Sequence, residues 1–362
     1  MKFALIGCGR ISANHIAAAL KNKLDIVAVC DIKEDKMYEL LCTFDLQESN
    51  INCYKSYQEM IEKEALDLVA IATESGLHAE IALYCIQNGV HCIIEKPIAL
   101  SMKDAQAICD AAKQHDVVVC TNHQNRFNKS IQKIREALEQ GRFGKLFHGT
   151  AHVRWNRGEN YYKQAPWRGT WAQDGGCLMN QCIHNIDLLR WMMGDEITEV
   201  FAYSDNLAHD YIEAEDLGVA VVKFKNGSYG IIEGTTNVYP RNLEETLYLF
   251  GERGTVKAGG KSVNIIEEWQ FADETDDVEK IKKENSEQPE NVYGFGHNPL
   301  YEDVISAIKN HRQPLVSAEE GKRALELVLA IYQSAVEGRP VKLPLMNCDA
   351  TDFQGRFTKE SE

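Results

Sequence analysis

Two segments of the chain place ionisable side chains where a buried ligand could meet them. Lys96 follows an apolar run that reads as a strand, HCIIE, and so lies at the carboxyl end of that strand. The helix predicted after Gly175-Gly176 carries a row of larger polar or aromatic residues, namely Asn180, His184, Asp187 and Trp191. This spacing puts them on one helix face, where polar groups cost free energy unless they meet a partner or a ligand. An ammonium and an imidazole that titrates near neutral pH suit proton transfer, although a lone core histidine can also be purely structural.

A glycine-rich turn near the N-terminus offers a different chemistry. Gly7 and Gly9 follow the predicted strand FALIG, and Arg10 and Ile11 lead into a predicted helix in which Ser12 replaces the third glycine of the GxGxxG pattern. Glycines let the backbone approach a pyrophosphate, and a helix N-terminus offers unpaired N–H groups and a positive dipole end. The turn therefore predicts a dinucleotide site, unless the glycines serve only a tight turn.

The next predicted strand ends in Asp31, about 20 residues beyond the glycines. A carboxylate at this position is placed to accept hydrogen bonds from the adenosine ribose hydroxyls, and it would repel a 2′-phosphate. We therefore expect NAD rather than NADP. Lys33 and Lys36 weaken that inference, because either could reach a phosphate.

Aromatic and basic residues alternate between positions 154 and 171, RWNRGENYYKQAPWRGTW. The basic members are Arg154, Arg157, Lys163 and Arg168. Guanidinium groups bind anionic oxygens bidentately, so the segment suits a ligand with phosphates, a carboxylate or a flat base. An ordinary surface loop is the alternative.

The first third of the chain alternates short apolar runs with amphipathic stretches. The predicted strands are FALIG, DIVAVCD, LDLVAIAT, HCIIE and VVVCTNH, and the predicted helices are 13–22, 35–42, 78–88 and 102–115. Strands separated by helices of that length indicate right-handed βαβ units. We therefore predict an α/β Rossmann domain with a doubly wound parallel sheet at residues 1–122.

The pattern of predicted elements changes after residue 123. A predicted helix at 128–140 precedes six alternating segments, 146–155, 197–205, 216–225, 228–235, 245–251 and 262–271. Asn226-Gly227 joins two of them in a hairpin, which favours an open, mostly antiparallel sheet. An acidic stretch at 273–291 reads as a solvated loop, and two helices follow at 299–310 and 318–337. We assign 123–344 to a substrate-binding and oligomerisation α+β domain and 345–362 to a tail.

Composition excludes several classes of protein. The 362 residues carry a net charge of −15, which disfavours a nucleic-acid partner. No apolar run reaches about 18 residues, so we expect no membrane span. The eleven cysteines form no CxxC pair and no metal-ligand spacing, so we predict no metal and a reducing cytoplasm.

Several motifs together resemble the Gfo/Idh/MocA family of oxidoreductases. They are Ala72 to His78, Gly89 to Pro97 with its Glu-Lys-Pro, Asn122 to Phe127, Trp167-Arg168, and Gly175-Gly176 leading to His184 and Asp187. The resemblance covers nearly the whole chain. It implies a Rossmann domain, an open-faced sheet that often builds dimers and tetramers, and hydride transfer at a sugar or cyclitol carbon.

The resemblance also implies roles for individual residues. Lys96 hydrogen-bonds the reacting hydroxyl and the nicotinamide ribose, Glu95 steadies it, and His184 is the general base. Many relatives have Asp where this chain has Asn180, which leaves Asn180 as an orienting partner. Further residues are expected to contact cofactor (Thr73, His78, Trp167 and Arg168) or substrate (Arg126, Arg157, Lys163 and His297).

Within the family the segments 167–171 and 175–189 look most like the UDP-N-acetyl-2-amino-2-deoxyglucuronate 3-dehydrogenases of surface-polysaccharide biosynthesis. This implies oxidation at C3 of a nucleotide-linked amino sugar acid. Three alternatives share much of the pattern: an inositol or free-sugar dehydrogenase, an NAD-dependent glycosidase, and a non-catalytic NAD-binding regulator. The last of these would be expected to lose Lys96 or His184, and both are present.

Overall fold

The computed structural model describes residues 1–194, 196–289 and 291–356. Its contacts form two compact units. The first comprises Met1–His123 and His297–Lys322, and the second comprises Gln124–Gly296 and the chain from Arg323 onward. The first unit thus includes a late segment that the predicted division into 1–122, 123–344 and 345–362 assigns elsewhere. The predicted boundaries themselves stay a prediction.

The first unit is built on a parallel sheet of six strands. In chain order they are β1 (Lys2–Ile6), β2 (Asp25–Cys30), β3 (Asn52–Tyr54), β4 (Leu68–Ile71), β5 (His91–Ile94) and β6 (Val119–Thr121). The helices between them are α1 (Ser12–Lys21), α2 (Glu34–Thr43), α3 (Tyr57–Lys63), α4 (His78–Gln87) and α5 (Met102–Gln114). The strand order β3-β2-β1-β4-β5-β6 winds outward from β1 in both directions, which confirms the doubly wound fold.

Burial explains which of these elements the sequence reveals. All four residues of β4 are buried, as a parallel strand covered on both faces requires, so its apolar run is conspicuous. The sequence analysis missed β3 and α3. β3 has only three residues, Asn-Cys-Tyr, none of them fully buried, and therefore carries no apolar signal.

The second unit contains a mixed sheet of eight strands. They are β7 (Leu146–Arg154), β8 (Ile197–Asp205), β9 (Leu217–Phe224), β10 (Tyr229–Thr235), β11 (Glu244–Gly251), β12 (Gly254–Gly259), β13 (Ile265–Phe271) and β14 (Val341–Lys342). Their order is β13-β12-β11-β7-β10-β9-β8-β14, and β7 pairs with β10 in parallel while the other neighbours are antiparallel. The predicted mostly antiparallel sheet is confirmed.

The helices of the rest of the chain complete the description. They are α6 (Lys129–Glu139), α7 (Glu159–Tyr162), α8 (Ile183–Met193), α9 (Val278–Glu284), α10 (His297–Lys309) and α11 (Ala318–Glu337). The first five residues after Cys177, Leu178–Cys182, form a π-helical turn that runs directly into α8. No helix within the described ranges combines the length and apolar character that crossing a membrane requires.

One face of the second sheet is covered by the π-turn and α8. A Cβ at Gly149 would lie 2.8 Å from the sulfur of Met193, and a Cβ at Gly234 would lie 2.6 Å from a Leu178 methyl group. Glycine on the strands therefore lets this helix approach closely. The close approach fixes the helix that carries Asn180 and His184 on the sheet.

The acidic segment 273–291 differs from its prediction. Part of it forms α9, which Asp277 caps by accepting a hydrogen bond from the backbone N of Lys280 at 3.1 Å. The helix buries none of its residues, so its sequence lacks the apolar periodicity that would have predicted it. Position 290 lies outside the described residues.

Candidate active site

The glycine turn lies at the carboxyl end of β1, where its backbone requires glycine. Gly7 has a φ of +93°, and a Cβ there would lie 2.6 Å from the carbonyl carbon and oxygen of Ala72. Gly9 has open space around it, and it and Arg10 are exposed just before α1. Neither the N-cap residue Ile11 nor an acidic side chain in the first turn caps α1. The turn thus presents the N-terminus of α1 to a ligand, as a pyrophosphate site requires.

Asp31, at the end of β2, supports this turn. One carboxylate oxygen accepts a hydrogen bond from the backbone N of Cys8 at 2.8 Å, and the other accepts one from the backbone N of Lys33 at 2.9 Å. Each carboxylate oxygen has two lone pairs, so both can still accept a bond from a ribose hydroxyl. The residues at these strand ends therefore fit NAD.

His78 joins the ends of two neighbouring strands. Its Nδ1 lies 2.7 Å from the carbonyl oxygen of Pro97, and its Nε2 lies 3.2 Å from the carbonyl oxygen of Thr73. Burial lowers the pKa of this imidazole. The neutral ring has one N–H and donates it to one of these two carbonyl oxygens. It lies between the two strand ends and so positions the segment that contains Lys96. A direct contact of Thr73 or His78 with the cofactor stays a prediction.

Glu95 lies at the centre of a buried polar cluster in the first unit. It accepts hydrogen bonds from Nε2 of His15 at 3.0 Å and from Nδ2 of Asn122, and Nε2 of His297 lies 3.9 Å away. Tyr301 Oη lies 2.7 Å from the other ring nitrogen of His15. Burial alone would raise the pKa of Glu95, but the two histidines hold it well below its ordinary value. The cluster stabilises an ionised carboxylate beside Lys96.

The same residues form a group of metal-ligand type. Among the described residues, ligand atoms of His15, Glu95 and His297 lie within 4.8 Å of one another. Nδ2 of Asn122 donates to the Glu95 oxygen and lies 3.1 Å from Nε2 of His297. Hydrogen bonds therefore account for the arrangement, and the predicted absence of a metal stays a prediction. The expected substrate contact of His297 also stays a prediction, because its ring is buried in this cluster.

Lys96 is half-buried and directly follows Glu95 at the carboxyl end of β5. Its backbone N donates to the second oxygen of Glu95 at 3.2 Å. The carboxyl ends of parallel strands are the edge at which such sheets bind ligands. Lys96 thus shares this edge with Asp31 and the glycine turn.

In the second unit, Asn180 lies on the π-turn within a chain of hydrogen bonds. Its Nδ2 donates to Asp174, and its Oδ1 accepts from Nε2 of Gln181 at 2.8 Å. An aspartate at position 180 would face the carboxylate of Asp174. Asn at this position therefore avoids the repulsion that two neighbouring carboxylates would cause.

The predicted stripe of four residues is not one uniform helix face. The π-turn inserts a wider turn between Asn180 and His184, both of which are half-buried, whereas Asp187 and Trp191 are buried. A regular α-helix is expected here from the sequence, and its spacing does not reveal this change. Asn180 and His184 are the two members of the stripe that keep partial exposure.

Two arginines flank one tyrosine ring beside this turn. The guanidinium carbon of Arg168 lies 4.4 Å from the centroid of Tyr161, and that of Arg157 lies 5.1 Å from it. Arg168 donates to Tyr161 Oη at 2.6 Å, as does Gln181 at 2.8 Å, and Arg157 Nε donates to Gln181 at 3.1 Å. We call Arg157, Tyr161, Arg168 and Gln181 the arginine–tyrosine cluster. Trp167 stacks on Arg168 at 4.5 Å.

Sequence reasoning found the arginines of this cluster but not the groups that hold them. Tyr161 and Gln181 carried no signal of their own within the segments 154–171 and 175–189, and Asp174 lies between those two segments. Lys163 is exposed and pairs with Glu159 at 2.6 Å on the short helix α7, so its expected substrate contact stays a prediction.

Arg126 has a partner that the sequence did not reveal. Its Nε and Nη2 donate to the two oxygens of Asp187, and its guanidinium carbon lies 4.8 Å from the centroid of Trp191. The side chain is fully buried. The pair also accounts for Asp187, a member of the polar row predicted on this helix. The expected contact of Arg126 with substrate stays a prediction.

Comparison with family models matches both parts of the chain. The NAD-binding Rossmann-fold model of the Gfo/Idh/MocA oxidoreductase family matches residues 1–123. The model of that family's C-terminal α/β domain matches residues 135–343.

Individual relatives cover almost the full length. A myo-inositol 2-dehydrogenase of Thermotoga maritima is 29% identical over 357 residues, 95% of this chain and 98% of the relative. The WlbA dehydrogenase of Bordetella pertussis, solved with NADH and UDP-GlcNAcA, is 37% identical with a TM-score of 0.88 and covers 96% of this chain and 98% of its own. The WlbA dehydrogenase of Chromobacterium violaceum, solved with the same two ligands, is 36% identical with a TM-score of 0.87, and the match covers 96% of each chain.

Proposed function

The chain belongs to the Gfo/Idh/MocA family and is an NAD-dependent sugar oxidoreductase acting on CH–OH groups, and from this premise we propose that it oxidises C3 of UDP-N-acetylglucosaminuronate. The product is the 3-keto sugar, formed with NADH and a proton. The observation that carries the proposal is the arginine–tyrosine cluster, together with the UDP-GlcNAcA bound by the two WlbA dehydrogenases.

The cluster supports an anionic substrate rather than an uncharged polyol. UDP-N-acetylglucosaminuronate carries a diphosphate and a carboxylate, and both match the bidentate donors of arginine. Nε of Arg168 is buried without a hydrogen-bond partner among the residues described. A buried donor of this kind is costly unless a ligand oxygen accepts its bond. Arg157 and Arg168 are therefore proposed as substrate-binding groups, with Trp167 beside them.

The proposed chemistry assigns each step of the reaction to a particular group. NAD, bound by the first unit, supplies the acceptor for the hydride that leaves the substrate carbon. His184 takes the hydroxyl proton as general base. The ammonium of Lys96 stabilises the developing alkoxide, and ionised Glu95 favours the charged form of that ammonium. Asn180 orients the sugar through its amide.

Myo-inositol is the second candidate substrate, because the Thermotoga relative is a myo-inositol 2-dehydrogenase that matches over 95% of this chain. The same Lys96, His184 and Asn180 could act on its ring. Inositol has no anionic group, however, so it would leave the arginines of the cluster without a ligand.

The exposed face of the second sheet supports a dimer or tetramer. Val221 pairs with Phe201 on β8 and with Ile231 on β10, and its neighbours Val219 and Tyr229 are exposed as well. A contiguous apolar strip of this kind is typical of a protein interface. We propose that two copies pack these faces together. Light scattering should detect at least a dimer, and Ile231→Glu should lower the mass, whereas Lys223→Glu near the edge of the strip should not.

A substrate panel tests the proposed reaction. Purified protein is incubated with NAD and, separately, UDP-N-acetylglucosaminuronate, UDP-N-acetylglucosamine or myo-inositol while NADH absorbance is followed. We expect the acid to give the largest kcat/KM, with UDP-N-acetylglucosamine, which keeps the diphosphate but lacks the carboxylate, at least tenfold lower. Reduction of the product with borodeuteride should place deuterium at C3. A larger kcat/KM for myo-inositol would contradict the proposal, and an NADH burst that 2-oxoglutarate relieves would indicate retained cofactor.

Replacing one arginine separates binding from chemistry. Arg168→Met should raise KM for UDP-N-acetylglucosaminuronate at least tenfold, with a smaller change in kcat. Arg241→Met, an exposed arginine elsewhere in the same unit, should leave both constants unchanged. Equal effects of the two substitutions would show that the arginine–tyrosine cluster does not bind the substrate. A cytoplasmic location and a role in surface-polysaccharide biosynthesis remain proposals that follow from this substrate.

A further inference from the structure

The helix that carries Asn180 and His184 begins in the buried interior without a polar cap of its own. We call residues 177–193, the π-turn with α8, the site helix. The first N–H groups of a helix lack partners within it, and no side chain at its N-cap accepts a bond from them. A buried N–H left without a partner would cost about 1–3 kcal/mol. Partners for these groups must therefore come from elsewhere in the chain.

Glu215 and Tyr332 supply those partners. The backbone N of Cys177 donates to the carbonyl oxygen of Glu215 at 3.3 Å. The next N–H, of Leu178, donates to Oε1 of Glu215 at 2.7 Å, and that of Met179 donates to Oη of Tyr332 at 3.1 Å. Glu215 lies just before β9 and Tyr332 on α11, so two distant segments together cap the site helix.

Gly175-Gly176 makes room for this cap. Gly176 has a φ of +97°, and a Cβ at this position would collide with Oε2 of Glu215. The glycine pair that the sequence analysis used only as a helix start therefore admits the carboxyl group. A larger residue at position 176 would displace Glu215 from the helix end.

The hydrogen-bond inventory favours the neutral carboxyl group. Tyr332 Oη lies 2.8 Å from the carbonyl oxygen of Gly175 and 2.8 Å from Oε1 of Glu215, and one hydroxyl proton cannot be donated to both. If Glu215 is protonated, it donates to Tyr332, and Tyr332 donates to Gly175. The carboxyl proton of Glu215 and the hydroxyl proton of Tyr332 then account for the two contacts at 2.8 Å.

The electrostatic environment of Glu215 also favours its neutral form. The hydrogen bonds from Leu178 and Tyr332 lower the pKa of Glu215, but burial has the larger effect and raises this pKa to about 8. The ionisable neighbours are Asp216, whose negative charge also raises the pKa of Glu215, and the buried groups of Cys177 and Tyr332, whose own pKa values lie well above their ordinary range. Among the described residues, none of the groups that shift the pKa of Glu215 is a cation that would stabilise its ionised form.

We propose that neutral Glu215, together with Tyr332, is a positioning residue that caps the site helix and thereby sets the placement of Asn180 and His184. The catalytic consequence rests on the proposed function, because it assumes that these two residues act in the reaction. Ionisation of Glu215 makes Tyr332 turn its proton from Gly175 to the carboxylate. The carbonyl group of Gly175, just before the site helix, then loses this bond, and the half-buried side chains in the first turns of the helix lose their fixed position.

Three variants test this role by kinetics. Glu215→Gln keeps an acceptor for Leu178 and cannot ionise, so its kcat should stay within about threefold of wild type, and the fall of wild-type kcat above about pH 8 should disappear. Glu215→Leu removes the cap and should lower kcat at least tenfold while KM for NAD stays within twofold. Tyr332→Phe should lower kcat at least threefold. The proposal is overturned if Glu215→Gln keeps the wild-type alkaline fall, or if Glu215→Leu keeps kcat within twofold.

A second measurement does not depend on the substrate. Hydrogen exchange, read by mass spectrometry on peptides that cover residues 177–182, should speed up at least tenfold in Glu215→Leu and in Tyr332→Phe, but not in Glu215→Gln. If the substrate panel fails while exchange changes as expected, the proposed function fails and the cap stands. Unchanged exchange in both cap-deficient variants overturns the cap itself. If Glu215→Leu does not fold, the hydrogen exchange of Tyr332→Phe decides between these outcomes.

Discussion

Asp187 accepts two hydrogen bonds from Arg126, from Nε and from Nη2, each at 2.6 Å, and neither side chain has any exposed surface. Arg190 adds a third contact to Asp187 at 3.3 Å. A carboxylate on the site helix is thereby neutralised by a residue 61 positions earlier. The pair therefore anchors the helix that also carries His184 and that continues from the π-turn of Asn180.

Breaking this pair should destabilise the fold rather than weaken substrate binding. Arg126→Leu removes both hydrogen bonds that Arg126 donates to the buried carboxylate of Asp187, so we expect the free energy of unfolding to fall by about 3–5 kcal/mol. Urea denaturation measures it. Arg135→Leu is the matched control, because Arg135 lies 4.7 Å from the same Trp191 ring but is partly exposed, and it should cost about 1 kcal/mol or less. If Arg126→Leu instead keeps the wild-type stability and raises KM for the sugar, Arg126 contacts the substrate as the sequence predicts.

The strands of the fold can be predicted from the sequence more readily than the hydrogen-bond partners of the site residues. Strands such as β4 are apolar throughout because parallel sheets bury both faces, so their pattern is visible without coordinates. Pairings between distant residues leave no such periodicity. Asn122 and His15 are separated by more than a hundred residues along the chain, yet both hydrogen-bond Glu95. The glycine turn and Lys96 could be found because their function depends on neighbours in sequence, whereas the partner of Arg126, which lies 61 positions away, could not.

Removing the Lys96 ammonium should abolish turnover and spare cofactor binding. Lys96→Ala deletes the charge proposed to stabilise the alkoxide, whereas the pyrophosphate and ribose groups bind at the glycine turn and Asp31. We expect kcat to fall at least a hundredfold, and the Kd for NADH, from fluorescence titration, to change by less than about fivefold. Lys103→Ala, an exposed lysine on α5, should match wild type. Turnover within tenfold of wild type in Lys96→Ala would refute the role of Lys96.

Replacing His184 tests the identity of the base. A general base must be deprotonated to accept a proton, so kcat/KM of the wild type should rise with pH on the acid side of its optimum. His184→Asn keeps a side chain of similar size without a titrating ring, and we expect that rise to vanish along with a 10²–10⁴-fold loss of rate, on the order of what general-base catalysis supplies. An unchanged pH profile in the variant would place the base elsewhere.

The Glu95 cluster predicts a specific loss of stability in acid. The pKa of Glu95 is held well below its ordinary value, so the folded state binds this proton less readily than the unfolded chain. Its contribution is therefore fully present above about pH 4.3, the ordinary value for glutamate, and is lost as pH falls through the folded-state pKa. At pH 7, Glu95→Gln should be less stable than wild type by about 1.5–3 kcal/mol. Urea midpoints of the two proteins should converge as the pH decreases from 5 to 3, while exposed Glu48→Gln should follow wild type throughout.

Asp31 should decide between the two dinucleotides, and two substitutions separate its charge from its support of the glycine turn. Asp31→Asn retains an acceptor for the backbone N of Cys8, which the carboxylate binds at 2.8 Å, but removes the negative charge. Asp31→Ala removes both. If charge repels the 2′-phosphate, each variant should lower the NAD/NADP ratio of kcat/KM at least tenfold, and only Asp31→Ala should also weaken NAD binding through a loosened turn. Asp35→Asn, an exposed acid at the start of α2, controls for the local field, since it changes the charge of the same region without touching the turn. An unchanged ratio in Asp31→Asn would mean that groups other than this carboxylate read the ribose.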